Sequence, residues 1–138
     1  MPDVRALVAG TATGPALVLS APLSFWGGVD PSDGTIIDRH HLQAGESVRG
    51  TVLVMPSGRG SSSSSSVLAE TIRAGTGPVA IVLAEPDGIL ALGALVASKL
   101  YGRTVPVVVV VDRTYRSITT ADEIEIRGGD RPEVRRQP

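Results

Sequence analysis

Three short apolar runs alternate with two stretches of helical spacing: Val52-Leu53-Val54, Val79–Leu83 and Val105–Val111. A run that is apolar at every position belongs to a strand covered on both faces. Between the first two runs, Val67, Leu68 and Ile72 fit one face of a helix, and Gly75 with Gly77-Pro78 stops it. Between the last two, Ile89, Leu92, Leu95, Val96 and Leu100 recur near helical spacing, and Gly102 ends the stretch. Residues 48–111 therefore read β-α-β-α-β. Parallel strands joined this way need right-handed helical crossovers, so the predicted class is α/β with a parallel core.

The link between the first strand and its helix is unusual. Met55-Pro56-Ser57-Gly58-Arg59-Gly60 is followed by six serines, Ser61 to Ser66. Gly58 and Gly60 allow positive φ or close approach of the backbone to a ligand. A serine at the helix start can cap a free N–H, and that start carries unpaired donors and partial positive charge. With Arg59 beside them, Gly58, Gly60, Ser61, Ser62 and Ser63 form a candidate seat for an anionic group. By composition alone a serine run is a flexible linker. A linker wedged between a buried strand and a helix of one compact domain is uncommon, which favours the loop reading. A nucleotide P-loop is the weaker reading, because no lysine follows Gly60 and the chain's single lysine is Lys99.

Upstream, Val4–Ala9 and Ala16–Leu19 are strand candidates punctuated by Gly10 and Gly14-Pro15, which suggests a hairpin or an orthogonal β layer. Pro22–Pro31 holds the chain's only Phe and Trp, Phe25 and Trp26, next to Gly27-Gly28. An aromatic pair in a turn either packs over the core or meets a partner surface. Asp30, ahead of Pro31, is a turn cap or a site residue. Thr35–Asp38 is a brief strand, Val48–Met55 leads into the serine loop, and Glu123–Ile126 alternates as a half-exposed strand. Residues 128–138 are charged, contain proline and lack an apolar period, so they read as a flexible tail behind a domain of residues 1–127.

Composition narrows the function classes. The 138 residues are 42% hydrophobic, enough for one domain with a core. A net charge of −1 gives no basis for general attraction to nucleic acid or membranes. There is no cysteine, hence no disulfide or thiolate ligand. His40 and His41 are adjacent, which makes them a poor chelating pair, and they read as surface or turn residues. No apolar stretch reaches membrane-spanning length and no signal-peptide pattern opens the chain, so the expected location is cytoplasmic.

Three segments together resemble one family. Leu23-Ser24-Phe25-Trp26-Gly27-Gly28-Val29-Asp30, Pro56-Ser57-Gly58-Arg59-Gly60-Ser61-Ser62, and Ala91-Leu92-Gly93-Ala94 with Tyr101-Gly102 look like the small subunit of the aconitase X family. The resemblance covers nearly the whole chain except the tail. It implies a swivelling β/β/α three-layer domain like the fourth domain of aconitases. It also implies a large-subunit partner holding an iron–sulfur cluster or iron, and dehydration of a small hydroxy acid. Arg59-Gly60-Ser61-Ser62 looks like the bacterial type, which implies cis-3-hydroxy-L-proline as substrate. The alternative within the family is the phosphomevalonate dehydratase of archaeal mevalonate pathways.

Carried over from the superfamily, the catalytic serine falls on Ser61, the first serine after the glycine. The unbroken run makes Ser62 the neighbouring candidate. A serine acts as a base only if its alkoxide is stabilised, and a helix start and a guanidinium are two sources of stabilisation. The leaving hydroxyl wants a Lewis acid such as iron, for which this chain has no thiolate. The chain is thus expected to supply half a site. Phe25, Trp26, Gly27, Gly28 and Asp30 are expected at the cleft or the partner interface. The serines beyond Ser63 are expected to bond back to the preceding helical turn, so that their loss would be silent. Outside this class stand a non-catalytic anion-binding or assembly module and a phosphohistidine swivelling domain. The latter needs a histidine at a glycine-rich turn, and His40-His41-Leu42 lacks that signature.

Overall fold

The structure, a computed structural model, describes residues 3–137. Seven strands join edge to edge in the order β1-β5-β4-β3-β2-β6-β7. They are β1 (Val4–Val8), β2 (Gly10–Val18), β3 (Val52–Met55), β4 (Ala80–Leu83), β5 (Val107–Val110), β6 (Glu123–Gly128) and β7 (Glu133–Arg136). The helices are α1 (Phe25–Gly28, a single distorted turn), α2 (Ser63–Ala74), α3 (Gly88–Tyr101) and α4 (Asp112–Ser117). β2, β3, β4 and β5 run parallel, with α2 and α3 as the crossovers.

Strand alternation sends the apolar runs to two faces. Leu53, Met55, Ile81, Leu83 and Val107 meet Leu68, Ala69 and Ile72 of α2 and Leu90, Ala94 and Ala97 of α3. Val52, Val54, Ala80, Val82, Val108 and Val110 meet Ile124 and Ile126 of β6. Each of the larger side chains contributes about 1.5–3 kcal/mol on full burial. The result is three layers, β/β/α, as the resemblance implies.

The second β layer is made by bending one strand. β2 pairs with β6 through Gly10–Pro15 and with β3 through Ala16–Val18. Glycine and proline within a strand mark such bends. At Gly14 a Cβ would sit 2.9 Å from the Gly50 carbonyl oxygen, so the bend is closely packed there. The punctuation at Gly14-Pro15 is therefore the bend of one continuous strand and not a break between two. β1 and β2 form no hairpin with each other; β1 runs antiparallel to β5 on the far side of the sheet.

Residues 133–136 correct the expected tail. β7 pairs with β6 in the register Ile126↔Val134, and Val134 packs against the second core cluster. Arg136 donates to the Ser117 carbonyl at 2.6 Å, and the Gln137 N–H donates to the Glu123 carbonyl at 2.7 Å. An edge strand needs few apolar residues and is protected by charge, which is why its pattern looked like an unstructured tail. Thr35–Asp38 makes isolated bridges, Thr35 to Ser47 and Ile36 to Val29, in place of a strand, and β3 begins at Val52 after a turn through Arg49 and Gly50.

α3 departs most from its sequence pattern. It buries Leu90, Gly93, Ala94 and Ala97, packs Val96 against the same core, and turns Leu92, Leu95 and Leu100 outward. Leu92, Leu95 and Leu100 are 52, 46 and 68% exposed.

Candidate functional site

In open parallel sheets, sites form at the carboxyl ends of the strands. Here the segments that follow β2, β3 and β4 converge there. The Pro56 carbonyl accepts from the N–H groups of Ala84 and Glu85 at 3.1 and 3.0 Å, tying the β3 loop to the β4 loop. Leu23 bridges Gly58, tying it to the segment after β2. Residues 57–62 are thus stitched from both sides while Arg59, Gly60, Ser61, Ser62 and Ser63 remain exposed.

Both loop glycines are required by their neighbours. A side chain at Gly58 would overlap the Asp87 carboxylate and press on Leu90. Gly60 has φ of +103°, and a Cβ there would collide with the Ser24 hydroxyl. Asp87 is fixed in turn, because its Oδ1 caps α3 by accepting from the N–H groups of Ile89 (2.9 Å) and Leu90 (3.1 Å).

The serines divide by role. Ser62 precedes α2 in a helical conformation and caps nothing with its side chain. The Ser61 hydroxyl instead accepts weakly from the Ser63 N–H at 3.4 Å, while the Ser61 and Ser62 carbonyls accept from Ser64 N–H (3.0 Å) and Ser65 N–H (3.1 Å). Ser64 and Ser65 are buried and do not bond back along the helix. Ser65 donates to the Ile89 carbonyl of α3 at 2.6 Å. Ser64 accepts from the Trp26 N–H at 3.3 Å and lies 3.2 Å from the Ser24 hydroxyl. Ser24 spends its hydrogen on the Trp26 carbonyl at 2.9 Å, so Ser64 is the donor between the two hydroxyls. The later serines therefore hold the loop to its neighbours, which corrects the expectation that they are silent. Ser66, which is exposed and whose hydroxyl makes no hydrogen bond among the described residues, is the inert one.

The aromatic pair is split. Phe25 is fully buried in the core, whereas Trp26 is 62% exposed beside the serine helix it bonds. Gly27 has φ of +76° and turns the chain there, and Gly28 packs on Leu23. Asp30 makes a turn: its Oδ1 accepts from the Ser32 hydroxyl (2.7 Å) and N–H (2.9 Å). Those two bonds hold its carboxyl below the ordinary carboxylate range. Of the histidines, His40 is exposed and His41 is buried between backbone groups. The Gln43 N–H donates to His41 Nδ1 (3.1 Å), so Nε2 is the nitrogen that donates to the Ala21 carbonyl (3.0 Å).

The charges around the loop are few: the Asp87 carboxylate lies against Gly58, and Arg59 is exposed. No acidic residue stands in the first turn of α2, and no ion pair among the described residues engages Arg59. Among the described residues no cluster of three His, Asp or Glu converges, and the chain has no cysteine, so its own side chains do not fit an iron–sulfur centre. The loop also lies on open surface. A groove of about 470 Å³ opens at the opposite end of the strands, among Arg49, Gly77 and Arg103, and does not touch residues 56–63. Two residues of this region were missed by sequence reading. Asp87 was legible only as a turn signal, and Ser24 had no local signal because its partner Ser64 lies 40 residues away.

A three-layer β/β/α domain presenting a Gly-Ser loop at the carboxyl ends of its parallel strands is a swivelling domain. The Aconitase X swivel domain family matches residues 2–134, and the chain belongs to this family. It is 52% identical over 109 residues to a cis-3-hydroxy-L-proline dehydratase of Pseudomonas aeruginosa, covering 79% of this chain and 19% of that protein. It is 34% identical to a phosphomevalonate dehydratase small subunit of Methanosarcina acetivorans, covering 91% of this chain and 84% of that protein. The crystal structure of Thermococcus kodakaraensis aconitase X in its holo-form superposes with a TM-score of 0.85 at 33% identity, over 97% of this chain and 95% of that one. The chain spans about one fifth of the length of the cis-3-hydroxy-L-proline dehydratases it matches.

Proposed function

We propose that this chain is the swivelling, small-subunit half of a cytoplasmic iron–sulfur dehydratase that eliminates water from cis-3-hydroxy-L-proline. The observation that carries the reading is the exposed Ser61 at the mouth of α2. Arg59 stands two residues before it with no ion-pair partner among the described residues, and the loop is pinned by Ser64, Ser65 and the two glycines. The 52% identity to a protein of that name supports the substrate. Matches over most of the length of archaeal small subunits support the division into two parts, and make 5-phosphomevalonate the substrate to test beside it.

In this reading Ser61 Oγ accepts the proton leaving carbon. The partial positive charge of the α2 start and the Arg59 guanidinium lower the cost of the alkoxide and orient the substrate carboxylate. Ser62 and Ser63 offer further hydroxyls and N–H donors to the same anion. The large subunit would supply the thiolates for a cluster, and that cluster would supply Lewis-acid chemistry to the assembled site. An open half-site is what this division requires, since a closed cleft forms only when the two parts meet.

The isolated chain is expected to bind no iron and to turn over neither substrate, and addition of the large subunit should restore both. Iron analysis and a dehydration assay, run before and after mixing, check this. Stoichiometric iron with turnover in the isolated chain would overturn the reading. Trp26 gives an independent measure. The sole tryptophan is exposed in this chain, so its emission should shift to the blue and its quenching by acrylamide should fall when the cleft forms. Unchanged emission and unchanged quencher access would remove Trp26 from the cleft.

A further inference from the structure

The segment after β2 lies along the serine loop and is itself fixed by the core. Leu23 and Phe25 are 1% and 0% exposed, and Leu23 bridges Gly58. Ser24 stands between these two anchors, half-buried and against the loop. A Cβ on Gly60 would lie 2.5 Å from Ser24 Oγ and 3.3 Å from Ser64 Oγ, so both hydroxyls face the residue that precedes Ser61. Ser24 also precedes α1, yet its side chain caps none of the N–H groups of that turn. Its hydroxyl is used elsewhere, in a closed ring of three hydrogen bonds. The Trp26 N–H donates to Ser64 Oγ (3.3 Å), the Ser64 hydroxyl donates to Ser24 Oγ (3.2 Å), and the Ser24 hydroxyl donates to the Trp26 carbonyl (2.9 Å). Every hydrogen in the ring is committed. Only the main chain of Trp26 takes part, and its exposed indole is not needed.

The ring ends one bond from the proposed base. The Ser64 N–H donates to the Ser61 carbonyl at 3.0 Å, so the residue that the ring holds by its side chain holds Ser61 by its backbone. Ser64 is 1% exposed, which keeps water from taking over either bond. The Ser61 side chain has only the 3.4 Å contact with the Ser63 N–H to fix it, so its place depends on its backbone. We propose that Ser24 is a positioning residue for Ser61, acting through Ser64. This rests on the functional reading above, in which Ser61 accepts the proton, and deepens it by naming what sets that serine in place. Ser24 has no proton to spare for the reaction, since its hydrogen is given to the Trp26 carbonyl. Its contribution is geometry. A displacement of about 1 Å at a reacting group costs on the order of 10²-fold in rate.

The test uses S24A, S64A and the double variant S24A/S64A, with circular dichroism to establish that each is folded. In the isolated chain, NMR amide exchange is read at Ser64 and Ser65, whose N–H groups donate to the Ser61 and Ser62 carbonyls. S24A should speed exchange at both amides about tenfold or more, with β3 and β4 unchanged, as expected for a local opening. In the assembled dehydratase, S24A should lower kcat about 10–100-fold and leave KM within about threefold of wild type, the pattern of a lost orientation and not of a lost substrate contact. Because the two serines act through one bond, the double variant should be no slower than the slower single variant. Unchanged exchange in S24A would overturn the proposal. So would losses in kcat that multiply in the double variant, or a loss confined to KM, which would make Ser24 a substrate contact. Full turnover in S61A would instead sink the reading of Ser61 as the base, whatever the exchange at Ser64 and Ser65 shows about the loop.

Discussion

Replacing Ser61 with alanine is expected to reduce turnover of the assembled dehydratase by about 10²–10⁴-fold, the range that a positioned proton acceptor contributes. The fold should barely respond. The Ser61 side chain is exposed and its one hydrogen bond, to the Ser63 N–H, is long at 3.4 Å. Its loss should cost at most about 1 kcal/mol, the typical worth of a cap. The appropriate silent control is Ser66→Ala. Ser64→Ala and Ser65→Ala are expected to do harm, since each removes a buried bond between elements that hold the loop. Arg59→Lys keeps the charge and loses the planar fork, so it should weaken catalysis less than Arg59→Ala. Near-normal turnover in Ser61→Ala with loss in Ser62→Ala would move the base by one residue. Near-normal turnover in both would remove the serine base from this loop. The assay is run with cis-3-hydroxy-L-proline and with 5-phosphomevalonate, and the ratio of the two rates decides the substrate.

The parallel core was legible because its strands are apolar at every position and its helices end at Gly75 and Gly102. Both glycines stand in the left-handed conformation as C-caps, with φ of 75° and 65°. The β-rich periphery was less so. Gly14-Pro15 is chemically a turn signal, and only the pairing of residues on either side to two different strands makes it a bend. β7 follows the pattern of a disordered tail, because an edge strand half-buries one side chain, Val134, and leaves its other residues to water. α3 shows a third kind of failure. Its large side chains have a clear period, yet of the residues they mark Leu92, Leu95 and Leu100 point outward and Val96 packs on the core, where most of the contact is made by Leu90, Gly93, Ala94 and Ala97. Periodicity reports an apolar face and not what covers it.

The loop was legible as a strand–glycine–serine unit, while the reason for its shape was not. Gly58 and Gly60 look alike in sequence. One is required by Asp87 and Leu90, the other by positive φ and Ser24. Each reason depends on residues far along the chain. The serine run is equally uninformative about its own division of labour, because only packing tells an exposed Ser61 from a buried Ser64.

Gly93→Val is expected to be strongly destabilising. A Cβ at Gly93 would sit 2.7 Å from the Ser65 carbonyl oxygen and 3.1 Å from its Cα, with Leu68 at 3.2 Å. Two of these three atoms are backbone, so no side-chain rotation relieves the overlap, and α2 and α3 must separate. Replacing an interior helix glycine ordinarily gains about 0.5–1 kcal/mol. Overpacking of a tight contact costs about 1–3 kcal/mol and more when backbone must move. The balance is a net loss, larger for valine than for alanine because of its extra methyls and stiff χ1. Thermal unfolding of the isolated chain should place the midpoint several degrees below wild type, at roughly 3–5 °C per kcal/mol for a domain of this size. The loss should reach the loop as well. Ser65 lies in the first turn of α2 and donates to the Ile89 carbonyl of α3, so parting the helices strains or breaks that bond and frees the serine loop. Hydrogen exchange at residues 60–66 should therefore rise together with the fall in midpoint. A valine variant that melts like wild type would mean that α2 and α3 can part at Gly93 at little cost, and that this close approach does not hold the two helices together.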